Sequence, residues 1–206
     1  MNDFRKDPLN ILVAGVGGQG NVMMAQVMGQ ALVKKGYHAV IGDTFGASQR
    51  GGSVASHIRI SKEVEYSSIV PKGHADLIIG MEPSEALRVM AVYANPETRV
   101  ICNPRPVYPP TVISGSDTYP DLEELINDIE KYCGKLWIIE ATDEAMAMGN
   151  GLYANTILMG AVLGANMLPI NRNDILELYK ERFTNTNIYE ANVKALDRGI
   201  ALARVH

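Results

Sequence analysis

Short apolar runs alternate with stretches of helical spacing over the first two-thirds of the chain. Residues 11–14 form a run suited to a strand buried on both faces, and it ends in the turn Gly15-Val16-Gly17-Gly18-Gln19-Gly20. Residues 21–35 then place Met24, Val27, Met28, Ala31 and Leu32 at helical spacing, with Gly36 as the C-terminal stop. Residues 38–43 read as a second strand. In Ser53–Ser61, Val54, Ser56, Ile58 and Ile60 alternate with Ala55, His57 and Arg59, which predicts a half-exposed strand. A charged turn at 62–65 leads to a short returning strand at 66–70, so a small antiparallel insertion is expected on a parallel sheet.

The α/β rhythm resumes with a buried strand at 75–80 and a helix that opens at Glu82-Pro83 and runs to Met90. A strand at 99–102 follows. Prolines at 104, 106, 109, 110 and 120 predict an extended excursion over 103–120. Asp121, with Glu124 three residues on, starts a helix whose stripe is Leu122, Leu125, Ile126 and Ile129. A strand at 136–140 precedes helices at 143–148 and 153–168. Asn171 and Asn187 are the expected caps of the last two, with Asp174 and Glu190 at their third positions. The pattern predicts an α/β doubly wound, mostly parallel sheet with a helical C-terminal region, in one domain over 1–206.

Composition narrows the function classes. The chain is 47% hydrophobic and 20% charged with net charge −4, which gives no electrostatic case for nucleic acid or an anionic membrane surface. Residues 1–8 are charged and lack an apolar signal region. The apolar stretch 152–170 is interrupted by Asn155, Thr156, Asn166 and Pro169, so it reads as a buried helix and the protein as cytoplasmic. Cys102 and Cys133 are the two cysteines, too few for a four-thiolate zinc or iron–sulfur site. His38, His57, His74 and His206 are scattered without metal-ligand spacing, and neither a Walker A motif nor a nucleophile elbow is present.

Two segments carry candidate chemistry. In the glycine turn, Gly15 permits a tight bend, Gly17 a close approach of a bound group, and Gly20 close packing of helix on strand. The free N–H groups at the helix start suit an anion. Asp43 follows Gly20 at about the spacing of a ribose-binding acid, so a stand-alone NAD-binding dehydrogenase is one reading; it lacks a convincing catalytic acid or base. In Ser48-Gln49-Arg50-Gly51-Gly52, Arg50 among glycines can present a planar guanidinium to an anion, or pair across a protein interface. Glu82 and Glu85 complement a helix N-terminus or serve as acids at a strand's C-terminal end. Gly160 and Gly164 allow close packing of their helix, within the core rather than between subunits.

Taken together, Gly15 to Gly20 and Ser48-Gln49-Arg50-Gly51-Gly52-Ser53-Val54 resemble the gamma domain of 2-oxoacid:ferredoxin oxidoreductases. Further stretches are similar to the beta subunits of indolepyruvate ferredoxin oxidoreductases: Glu82-Pro83-Ser84-Glu85-Ala86-Leu87-Arg88, Asn103-x-Arg105-Pro106, Pro109-Pro110-x-Val112, Tyr119-Pro120, Gly149-Asn150 and Asn155. Ala47 departs from the pattern, where methionine is expected. The resemblance spans nearly the whole chain. It implies a small subunit, without catalytic residues of its own, of a complex that oxidatively decarboxylates arylpyruvates with coenzyme A and reduces ferredoxin. Thiamine diphosphate, Mg and the 4Fe-4S clusters are then expected in a large alpha subunit. Gly15, Gly17, Gly18, Gln19, Gly20, Ser48, Gln49, Arg50, Gly51 and Gly52 are the expected ligand or interface contacts. A gamma subunit of a pyruvate or 2-oxoglutarate enzyme is the near alternative, and a scaffold without small-molecule binding a further one.

Overall fold

The computed structural model describes residues 6–46 and 52–204. Strand β1 (Leu9–Val16) runs into helix α1 (Asn21–Lys34), followed by β2 (His38–Phe45) and β3 (Ser53–Ser61). Then come β4 (Leu77–Gly80), α2 (Pro83–Tyr93), β5 (Arg99–Cys102), the single turn α3 (Pro110–Ile113), α4 (Leu122–Lys131) and β6 (Lys135–Ile138). Helices α5 (Ala141–Ala147), α6 (Ala154–Gly164), α7 (Arg172–Arg182) and α8 (Thr186–Arg204) complete the chain, with a 3-10 turn at Gly151–Tyr153. The sheet order is β2-β3-β1-β4-β5-β6. Strand β3 is antiparallel to both its neighbours, and β1, β4, β5 and β6 pair in parallel.

Period-two geometry divides β1 between two cores. Ile11 and Val13 face α1, α6, α7 and α8, whereas Leu12 and Ala14 face α2 and α4. Both faces are covered, so β1 is apolar throughout. Helix α6 is buried from Asn155 to Gly164 because α8 lies against it with almost no side chain between. A Cβ on Gly160, Gly164 or Gly199 would strike backbone atoms of the facing helix, so these glycines serve packing within the chain.

Four expectations change. Strand β3 is an interior strand, with Ala55, His57 and Arg59 all buried. The alternation looked half-exposed because His57 and Arg59 are polar. Both are covered by the following segment, where Val70 N donates to His57 Nδ1 (3.3 Å) and Arg59 Nη1 donates to Ser67 O (3.2 Å). That segment, 66–70, contains no strand; it crosses the sheet as a strap. Within 103–120, the prolines admit the short turn α3, since Pro110 supplies a helical φ at its first position. The last helix is capped by Asn185, whose side chain accepts from Asn187 N (2.9 Å) and Ile188 N (3.3 Å), and Asn187 is already inside the helix. By contrast, Asn171 and Asp174 form the reciprocal capping box. Among the described residues no helix is long and apolar enough to cross a membrane.

Candidate functional site

Because β1, β2, β4, β5 and β6 all run the same way, their C-terminal ends share one edge of the sheet. Ligands of open α/β sheets gather at such an edge. Here it is built from the glycine turn, the start of β3, the first turn of α2 and the chain leaving β5.

The glycine turn is rigid from below. Gln19 folds back so that its Oε1 accepts from Val16 N (2.7 Å) and its Nε2 donates to Met81 O (3.2 Å). A Cβ on Gly15 would meet Gln19 Oε1 at 2.6 Å and Met81 Cβ at 2.7 Å, so this glycine makes room for the Gln19 side chain. Gly17 N donates to Gly52 O (2.9 Å), which ties the turn to the end of the Ser48–Gly52 loop. Gly20 takes φ 89°, and its open side is filled by the Asn155 amide from α6. Gly18, at φ 105°, has no atom of the described residues within 4 Å of where a Cβ would stand. No side chain caps α1, and the N–H groups of Gly18, Asn21, Val22 and Met23 meet no acceptor among the described residues. These donors and the helix dipole are available to an anion above the turn. Gln19 therefore acts as internal support, whereas Gly17, Gly18 and Gly20 shape the surface. Ser48, Gln49, Arg50 and Gly51, with Ala47, lie outside the described residues.

A buried acidic pair stands beside the turn. Glu82 is fully buried as the N-cap of α2, accepting from Glu85 N, from Ser84 Oγ (2.6 Å) and from Tyr119 Oη (2.7 Å). Three donors hold its carboxylate, so the capping role is the one its geometry serves. Glu85 Oε2 accepts from Ser53 Oγ (2.5 Å), and Oε1 pairs with Arg88 (3.2 Å). Burial pushes the Glu85 carboxyl above its ordinary value, against the opposing pull of Ser53 and Arg88. The Tyr119 hydroxyl is also pushed up, by burial and by donating to Glu82. Tyr119 thereby pins the proline-rich excursion over the edge, and Tyr108 packs edge-on against its ring at 5.2 Å.

Asn103 completes the edge, donating to Met81 O (2.9 Å) and Thr142 Oγ1 (2.9 Å) while accepting from Thr142 N (3.2 Å). Cys102 is sealed below it; burial, reinforced by the nearby Glu82 charge, drives its thiol far up and makes it inert. Asn21 Oδ1 is buried without a partner, while its Nδ2 donates to Val54 O (3.3 Å). Around this polar centre the edge exposes apolar side chains, with Phe45 67%, Ile113 76% and Leu152 71% exposed.

Asp43 is separated from the glycine turn by the whole of β3 and accepts from Ser56 Oγ (2.5 Å). A ribose-binding acid belongs on the strand next to β1. The inserted strand removes that geometry. Among the described residues no cluster of metal-binding side chains occurs. Sequence reasoning missed the supporting contacts of Gln19, Ser53 and Tyr119. Their residues stand within the motifs at 15–20, 48–54 and 119–120, but the partners lie 62, 32 and 37 residues away in the chain.

Known proteins resemble this chain in sequence and in fold. Residues 10–202 match the family model described as pyruvate ferredoxin/flavodoxin oxidoreductase. The chain is 36% identical over 93% of its length to the indolepyruvate oxidoreductase subunit IorB of Archaeoglobus fulgidus, covering 93% of that protein. It is also 36% identical over 95% of its length to the subunit of the same name from Pyrococcus horikoshii, covering 96% of it. The fold matches a 2-oxoglutarate:ferredoxin oxidoreductase from Magnetococcus marinus, solved with 2-oxoglutarate, coenzyme A and succinyl-CoA bound. That match has TM-score 0.77 and 23% identity, covering 98% of this chain and 32% of the longer one. The chain belongs to the pyruvate ferredoxin/flavodoxin oxidoreductase family, alongside subunits of indolepyruvate oxidoreductases.

Proposed function

We propose that this chain is the small subunit of a thiamine-dependent complex acting on arylpyruvates such as indolepyruvate. The complex cleaves the bond between the carboxylate and the keto carbon, releases carbon dioxide and transfers the acyl group to the thiol of coenzyme A. The thiol proton is released, and the electron pair passes to ferredoxin. Thiamine diphosphate, Mg and the 4Fe-4S clusters reside in the large partner subunit. With one sealed thiol and one on a distant helix end, this chain offers no four-thiolate cradle for a cluster.

In this reading the C-terminal edge faces the large subunit. The glycine turn and the Ser48–Gly52 loop contribute contacts to the anionic part of coenzyme A or to the partner's backbone beside it. The observation that carries the reading is the open start of α1: among the described residues its first N–H groups meet no acceptor, and no atom lies within 4 Å of where a Gly18 Cβ would stand. The coenzyme A bound in the Magnetococcus marinus enzyme adds support.

The test is anaerobic reconstitution with the large subunit, thiamine diphosphate, coenzyme A and indolepyruvate, followed by reduction of a ferredoxin or viologen dye. Reduction that requires both chains and favours arylpyruvates over pyruvate and 2-oxoglutarate is expected. Dye reduction by the large subunit alone at the full rate would sink the proposal.

A further inference from the structure

At the opposite end of the sheet, Arg59 stands apart from this edge. It is 8% exposed, yet no carboxylate lies within ion-pair distance among the described residues. Its Nε donates to Asn10 Oδ1 (3.0 Å), its Nη1 to Ser67 O and Ser67 Oγ (both 3.2 Å), and its guanidinium carbon lies 4.7 Å from the Tyr66 ring centroid. These neutral partners fix the plane of the group without neutralising it. Nη2 donates to no acceptor among the described residues, and Arg59 lines the cavity beside it. A guanidinium held in place, largely desolvated and left with open donors is favourable for an oxyanion.

The cavity beside it is lined by Lys6, Asp7, Pro8, Asn10, Pro71 and Asp76, with His74 and Asn95. Lys6 Nζ is engaged by Glu97 (2.8 Å) and Asp76 (3.3 Å), which leaves its third N–H without an acceptor among the described residues. Asp76 Oδ2 accepts from Asn10 N (2.8 Å), and Asp7 Oδ2 accepts from Lys62 N (3.0 Å), so both carboxylates are fixed in the wall. The cavity has no excess of positive charge, since Asp7 and Asp76 line it with Arg59 and Lys6 and Glu97 also pairs with Lys6; this disfavours a dianion more than a monoanion held by the directed donors of Arg59.

We infer that the Arg59 cavity is a binding site for a small monocarboxylate. The carboxylate meets Arg59 Nη2 and Lys6, and its apolar body rests on Pro8 and Pro71. The site lies at the N-terminal ends of the parallel strands, away from the edge assigned to the partner, and is independent of that assignment.

The test is titration of the full-length chain with acetate, and separately with inorganic phosphate, at constant ionic strength, following the Arg59 side-chain N–H resonances. Acetate should give a saturable shift and bind more tightly than phosphate. Arg59→Met should abolish the shift, read from the neighbouring Asn10 and Ser67 signals. Lys6→Ala, at a half-exposed position that leaves folding intact, should weaken binding about threefold, and Asp76→Asn should tighten it by a similar factor. Absence of saturation, tighter binding of phosphate, or acetate binding indifferent to both Lys6→Ala and Asp76→Asn would overturn the inference.

Discussion

Gly18 and Gly20 occupy the same turn, and a methyl group added to each meets a different obstacle. Both have positive φ, so alanine is strained at either position by about 1–2 kcal/mol. At Gly18 no atom of the described residues lies within 4 Å of the new methyl, whereas at Gly20 it is driven into Asn155. That contact adds about 1–3 kcal/mol of overpacking. Urea unfolding should therefore show Gly20→Ala less stable than Gly18→Ala, although both changes are chemically identical. Glu85 allows a second residue-scale expectation. Its folded carboxyl keeps its proton above the ordinary value of 4.5, so the unfolded chain releases that proton first as pH rises. The protonated side chain's contribution is complete below 4.5 and is lost as pH climbs through the raised folded value. Glu85→Gln retains an acceptor for Ser53 and carries no charge. Its stability relative to the parent should rise on going from pH 4 to pH 8, and a flat difference in thermal midpoints across that range would contradict the burial argument.

At the scale of elements, legibility followed sequence distance. The βα turn, the capping box at Asn171 and Asp174, and the order of strands and helices rest on neighbours within a few residues, and they could be read directly. The position of β3 could not, because its burial depends on a strap that begins beyond its own C-terminal end. The alternation of Ala55, His57 and Arg59 with apolar residues was real, but it reported polarity rather than exposure. The cap at Asn185 was missed for a local reason: Asn187 stands two residues on with an acid in the right place, and only the backbone decides between them. In the candidate site, the backbone of the turn was legible, while Gln19 as support and Tyr119 as a clasp on Glu82 were not. The strap also yields an expectation. Burial holds His57 below its ordinary 6.5, so it stays neutral in the fold and accepts from Val70 N. Its contribution is fully present above pH 6.5 and is lost as pH falls toward the depressed folded value. Amide exchange at Val70, corrected for its intrinsic rate, should lose protection over that interval. His57→Asn, which supplies an uncharged acceptor oxygen, should remove that pH dependence.

For the whole molecule, the two ends of the sheet are built differently. One end is polar and notched, with Arg59 and its ring of fixed charges. The other surrounds a polar glycine turn with Phe45, Ile113 and Leu152, apolar side chains that a chain working alone gains little from exposing. If the apolar rim meets the large subunit, introducing a charge there should separate assembly from folding. Leu152→Asp changes a side chain that is 71% exposed, so the isolated chain should keep its stability to within about 0.5 kcal/mol. Association with the large subunit, measured by analytical ultracentrifugation, should weaken at least about tenfold, as for a desolvated apolar contact. Val33→Asp provides the control: Val33 is 55% exposed but sits in the last turn of α1, at the other end of the sheet. Equal weakening by both variants would place the interface elsewhere, and no weakening by Leu152→Asp would leave its exposure unrelated to assembly.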